Sequence, residues 1–134
     1  MSAPLAKTDI FNRVCIIIAD CLASDVNDIQ LDSYLFNDLG IDSLDFLDIV
    51  FGVEREFLIK FRKTPFEKFL RLDTLVDEKN QSQIPIERLD AIKKFLPALQ
   101  LPPNEPSISV ITLMSSLTTE TLVLAIEDCC YTGS

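Results

Sequence analysis

The chain has no histidine and no tryptophan, only 3 glycines, and far fewer basic than acidic residues. Each shortage closes off a class of function. Without histidine, the usual base for a serine or cysteine nucleophile is missing, and so is the commonest zinc ligand. A lysine-based arrangement is the one formal route left to a serine nucleophile. With 12 Lys and Arg against 21 Asp and Glu, the formal charge is −9. Nucleic acid is excluded as a ligand on that balance, because phosphate backbones demand clustered cations. Anionic membrane surfaces are disfavoured for the same reason. The acidity suits partners with basic docking patches, or it serves solubility alone. The apolar run from Val14 to Ala19 is far too short to span a bilayer, and the start of the chain is not signal-like. A cytoplasmic protein with reduced thiols is expected. The 4 cysteines, Cys15, Cys21, Cys129 and Cys130, lack zinc-type spacing and read as buried apolar thiols.

What is present is an ordinary globular balance, 48% hydrophobic and 25% charged, over 134 residues. That length supports one domain spanning 1–134 with a single modest core. Thr8 to Leu22 has the spacing of a first helix. Thr8 or Asp9 is its expected cap, with Phe11, Val14, Ile18 and Leu22 on one face and Ile17 and Cys21 widening it. Ser24 to Asp38 reads as a surface loop pinned by Val26, Ile29, Leu31, Leu35 and Phe36, and Gly40 ends it. A second helix starts at Asp42-Ser43 and runs to about Phe57, with Asp42 and Asp45 as an acidic capping box. Phe46, Ile49, Val53 and Phe57, with Val50 beside them, form its inward stripe. Leu44, Leu47 and Phe51 make another, more apolar surface than one core contact requires.

Beyond Phe61, Thr64-Pro65-Phe66-Glu67 signals a short helix to about Leu72. Asp77 to Gln83 reads as a polar loop, and Pro85 to Leu96 as an amphipathic helix with Ile86, Leu89, Ile92 and Phe95 on one side. Pro102, Pro103 and Pro106 mark a connector without regular structure. Thr118 to Cys129 is the expected final helix, with Leu122, Leu124, Ala125 and Ile126 apolar. The expectation is therefore all-α.

The stretch Asp38-Leu39-Gly40-Ile41-Asp42-Ser43-Leu44-Asp45 opens the second helix and resembles the phosphopantetheine attachment site of acyl carrier proteins. The likeness runs without a gap through Phe46 to Phe57 and reaches back through Leu35-Phe36. It implies a four-helix bundle of acyl-carrier type, and a chain that is not an enzyme. It also implies a 4'-phosphopantetheine arm joined to Ser43 through a phosphodiester. Such a site makes physical sense: a helix start offers unpaired N–H groups and the positive end of the dipole to an anionic phosphate. Gly40 would keep a side chain from crowding it. The arm ends in a thiol that holds an acyl chain as a thioester, so Ser43 needs no base of its own.

By the same resemblance Asp42, Asp45, Asp48 and Glu54 dock onto basic patches, with Leu44 and Phe51 adding apolar contacts. The implied partners are a phosphopantetheinyl transferase and ketoacyl synthases, acyltransferases or acyl-activating enzymes. The acyl chain would be sheltered near Phe46, Ile49 and Val53. Arg55 stands where the family often has Glu, which implies that not every usual partner is shared. The role the resemblance implies is delivery of acyl chains in a specialised fatty-acid, lipid or polyketide-like pathway; a peptidyl or aminoacyl carrier, and an unmodified adaptor of the same fold, are the alternatives, and Asp45 and Asp48 favour the acyl type. Ordinary carriers are shorter, and the insertion at about 62–117 resembles that of extended, specialised carriers. Its Phe66, Phe69, Leu70, Leu75, Phe95 and Leu99 could enlarge an acyl cavity or pack as a lid, and Lys60, Arg62, Lys63 and Lys68 could form a docking patch.

Overall fold

The computed structural model describes residues 6–62, 64–71, 76, 79, 82–101 and 104–131. Among these, the order is helix α1 (Lys7–Leu22), helix α2 (Ser43–Phe57), strand β1 (Gln83–Pro85), strand β2 (Ser107–Ser109), helix α3 (Val110–Ser115) and helix α4 (Thr119–Tyr131). Four α-helices and one short two-stranded sheet among the described residues make the protein mainly helical, as the sequence pattern implies.

Helix α1 buries Ile10, Val14, Cys15, Ile18 and Ala19, a stripe that packs on both α2 and α4. It starts one turn-position earlier than expected. Its N-cap is Ala6, with no side-chain hydrogen bond, rather than Thr8 or Asp9. Helix α2 contributes Phe46, Ile49, Val50 and Val53 to the core, with Phe57 half-buried. Helix α4 adds Leu122, Val123, Ala125 and Ile126. Burying a side chain of this kind stabilises the fold by roughly 1.5–3 kcal/mol, so these three stripes define the bundle. Close approach of α1 and α2 depends on Gly52, where a Cβ would come within 3.0 Å of Ile17 Cγ2.

The insertion belongs to the same core. Phe61, Phe66, Phe69 and Phe95 are all buried. Phe66 is their hub, with ring centroids 4.7 Å from Phe61, 5.1 Å from Phe69 and 5.6 Å edge-on from Phe95. Such tilted pairs add attraction beyond their buried area.

Several expectations for this region are corrected. Pro65–Leu70 is 3-10 rather than α-helical, and the Thr64 hydroxyl donates back to the Phe61 carbonyl oxygen; the expected end at Leu72 lies outside the described residues. Pro85 to Leu96 is not one helix. Pro85 ends β1, and two 3-10 turns follow, Ile86–Leu89 and Lys93–Phe95, which still bury Leu89, Ile92, Phe95 and Leu96. The antiparallel partner, β2, pairs Ile84 with Ile108 and Pro85 with Ser107. Pro102, Pro103 and Leu75 lie outside the described residues. Cys15 and Cys129 are buried as expected, but Cys130 is exposed. Val26, expected to pin the long loop, is 41% exposed, and Ile29 and Leu35 do the anchoring. Among the described residues no helix is long and apolar enough to cross a membrane.

Candidate functional site

The loop before α2 is stitched to the far end of the chain. Leu35 N–H donates to Leu117 O at 2.9 Å, Thr119 N–H to Ser33 O at 3.1 Å and Glu120 N–H to Leu31 O at 2.9 Å. The loop then closes on itself, with Tyr34 N–H donating to Asp38 Oδ2 and Ile41 N–H to Leu35 O. Gly40 turns the chain at φ +70°, in the left-handed region. A Cβ there would meet nothing within 4 Å, so the backbone angle, not crowding, calls for glycine.

Immediately after the turn, the expected capping box forms. Asp42 Oδ1 accepts from Asp45 N–H at 2.8 Å, and Asp45 Oδ2 accepts from Asp42 N–H at 3.2 Å. Ser43 is the first residue of α2 and is exposed. The cap occupies the Asp45 amide, while Phe46 N–H reaches Asp42 O. The first-turn amides of Ser43 and Leu44 have no acceptor within the helix.

Each residue of α2 turns the direction by about 100°, and this divides the expected docking residues. Leu44, Asp48 and Phe51 point outward, with Asp42 beside them and all four exposed. Asp45 is half-buried and engaged in the cap. Glu54 lies on the Ser43 side and accepts from Phe61 N–H at 2.8 Å, so its carboxylate holds the chain leaving α2. Of the basic cluster, Lys60 and Arg62 are exposed, and Lys63 and the Lys68 side chain lie outside the described residues. The Cys21 thiol of α1 rests against this helix start, 3.9 Å from Asp45 O. Burial first, then the charges of Asp45, Asp48 and Asp42, push that thiol up.

Ser43 sits on the rim of a cavity of about 140 Å³, lined also by Phe46, Leu47, Phe69, Leu70 and Met114. Among the described residues larger hollows lie elsewhere. One of about 480 Å³ runs between α1 and α2 past Asp20, Asp48, Arg55 and Glu56. Another of about 420 Å³ lies beside Tyr34, Gln100 and Ile111. Both are edged by polar side chains, whereas apart from Ser43 the smaller cavity is apolar-walled. Ile49 and Val53, expected to shelter an acyl chain, are fully buried core residues that do not line it. Met114 was not anticipated, because α3 was not. The cap pair Ser109 and Thr112 was its one local signal: Thr112 N–H donates to Ser109 Oγ at 3.0 Å.

Comparison with known proteins agrees with this geometry. Residues 12–77 match a family model described as the phosphopantetheine attachment site. The acyl carrier protein AcpXL of Rhizobium etli is 40% identical over 88 residues, 66% of this chain and 86% of that protein. AcpXL of Mesorhizobium japonicum is 51% identical over 59 residues, 44% of this chain and 60% of the relative. The acyl carrier protein of Clostridium acetobutylicum is 35% identical over 68 residues, 51% of this chain and 88% of that protein. No solved structure matches. A phosphopantetheine-site match over the exposed helix-start serine, with relatives aligned over most of their own length, leads to one conclusion: the chain belongs to the acyl carrier protein family.

Proposed function

We propose that Ser43 bears the 4'-phosphopantetheine arm and that the chain presents acyl groups on it to enzymes of a specialised fatty-acid or lipid pathway in the cytoplasm. A member of this family is a carrier rather than a catalyst, and its prosthetic group is covalently attached 4'-phosphopantetheine. The residues present fit that group. Ser43 offers an exposed hydroxyl at a helix start, with the Ser43 and Leu44 amides and the helix dipole available to a phosphate. When attached, the arm supplies a thiol that activates an acyl carbon as a thioester.

The single observation that carries the reading is the position of Ser43, at once exposed at the first turn of α2 and on the rim of an apolar cavity. Phe69, Leu70 and Met114 of the insertion wall that cavity, so the extra chain length supports a role in accommodating cargo. Asp42, Leu44, Asp48 and Phe51 form the face offered to basic partner surfaces: a phosphopantetheinyl transferase, then ketoacyl synthases, acyltransferases or acyl-activating enzymes. Asp45 contributes its charge through the cap, and Glu54 acts there only if it leaves Phe61. The names of the AcpXL relatives favour a specialised carrier over a general one.

Co-expression with a broad-specificity phosphopantetheinyl transferase, followed by intact-mass measurement, tests the assignment. The wild type gains the mass of one phosphopantetheine and Ser43→Ala gains none. No gain on the wild type, or an equal gain on the variant, refutes it.

A further inference from the structure

The hollow of about 420 Å³ beside Tyr34 differs from the other cavities in its lining. Among the described residues none of its lining side chains is charged at neutral pH, in a chain that is 25% charged. The groove between α1 and α2 is edged instead by Asp20, Asp48, Arg55 and Glu56, and the cavity at Ser43 is apolar-walled. Tyr34, Asn37, Gln100 and Ser115 bring two hydroxyls and two primary amides to the hollow. Among the described residues these four side chains have no hydrogen-bond partner, although the Tyr34 backbone N–H is held by Asp38. Ala98, Leu99 and Ile111 add apolar surface, and Ile111 is 78% exposed.

Two connections tie this hollow to Ser43. One wall, with Tyr34 and Asn37, belongs to the loop that continues through Gly40 into α2 and is pinned where Leu35 N–H meets Leu117 O at 2.9 Å. The other is α3, whose Met114 lines the Ser43 cavity while Ile111 and Ser115 line the hollow. At 3.6 residues per turn, Ile111 lies about 60° and Ser115 about 100° from Met114, in the same sense around the helix. The two cavities therefore occupy adjacent faces of one short helix, with Ile111 between them.

We propose that this hollow is the resting site of the unloaded phosphopantetheine arm, an inference that rests on Ser43 bearing that arm. Beyond its phosphate the arm is uncharged: a hydroxyl, two geminal methyls and two amides lead to the thiol. Each polar group that leaves water needs a hydrogen-bond partner. The four unpartnered side chains supply donors and acceptors for the amides, and Leu99 and Ile111 suit the methyls. The cavity at Ser43 offers the amides no such side chains, and the groove between α1 and α2 is edged by charges that a neutral arm does not match. A tether that spans the gap sets an effective concentration in about the millimolar range, so even weak contacts fill the site. A loaded arm carries an apolar chain, which belongs in the apolar cavity. Loading therefore empties the hollow.

Nuclear magnetic resonance of the isotope-labelled full chain, before and after phosphopantetheinylation, tests it. Intact mass is read first, because it separates the two claims. A chain that gains no phosphopantetheine refutes the Ser43 assignment, and the hollow is then judged by adding free pantetheine at about 10 mM to the unmodified chain. Attachment shifts the side-chain amide signals of Asn37 and Gln100 and brings the arm's geminal methyls into contact with the methyls of Leu99 and Ile111. Free pantetheine moves the same signals. Asn37→Ala/Gln100→Ala, at two exposed positions, is modified like the wild type, keeps its helices by circular dichroism and loses those contacts. Acylating the arm returns the Asn37 and Gln100 signals to their unmodified positions. Shifts confined to the surroundings of Ser43, arm methyls that touch only Leu47 and Met114, or contacts unchanged in the double variant would each overturn the proposal. So would shifts that persist after acylation, or free pantetheine that leaves Asn37 and Gln100 unmoved.

Discussion

Each of the cysteines Cys15, Cys21, Cys129 and Cys130 has its thiol held above the ordinary value of 9.0, and withdrawal from water is the leading cause for all of them, only partial at the exposed Cys130. For Cys129 the adjacent Cys130 adds to the rise, while backbone hydrogen bonding at Lys60 opposes it. The consequence for stability has a definite sign. Below about pH 9 folded and unfolded chains both hold these protons and nothing is lost. Above it the unfolded chain releases protons that the folded chain keeps, so stability falls as pH rises. Urea midpoints at about pH 8 and pH 10 check this, with Cys15→Ala/Cys129→Ala as comparison. The wild type should lose more on that step than the variant, and equal losses would show that the buried thiols contribute nothing.

At the scale of the element, α2 is where local signals agree. Gly40 supplies the left-handed turn, Asp42 and Asp45 supply the reciprocal cap, and the apolar spacing places Phe46, Ile49, Val50 and Val53 inside. Asp42→Ala removes the acceptor of the Asp45 N–H and should lower stability by about 1 kcal/mol, seen as a lower melting temperature. Asp42→Ser, which keeps a capping oxygen, should recover most of it. That concordance is why Ser43 and its helix were legible in the sequence. Pro85 to Leu96 was misread for a physical reason. Ile86, Leu89, Ile92 and Phe95 recur at a strict step of three, which is the 3-10 period rather than that of an α-helix. Strands of three residues, like Gln83–Pro85 and Ser107–Ser109, are too short to show alternation. The wall of the Ser43 cavity depends on contacts between distant segments, so no local pattern revealed Met114. Glu54 shows the same limit: its charge suggested a docking role, and only the folded chain brings the Phe61 amide to it.

For the molecule as a whole, the question is whether the insertion is a separate lid or part of one cooperative unit. Phe66 decides it. The residue lies in the insertion, is fully buried, and joins Phe61 at the exit of α2 to Phe69 and Phe95 further along the insertion. Helix α4 in turn packs on α1 and on the 3-10 turn that carries Phe95. Contacts therefore run from the insertion into every long helix, and two-state unfolding is expected. Phe66→Ala leaves a cavity at the centre of this aromatic group and should cost about 3–5 kcal/mol. Because the unit is cooperative, that loss should appear in full in the helical signal, which comes largely from α1, α2 and α4. Urea unfolding, in a background carrying Ile111→Trp as a reporter within the insertion (Ile111 is 78% exposed and the chain has no tryptophan), followed by far-ultraviolet circular dichroism and by tryptophan fluorescence, gives the measurement. Coincident wild-type curves that shift together to lower urea in the variant establish one unit. If the helical transition stays in place while only the tryptophan signal changes, the insertion is a lid, and the cavity beside Ser43 opens independently of the bundle beneath it.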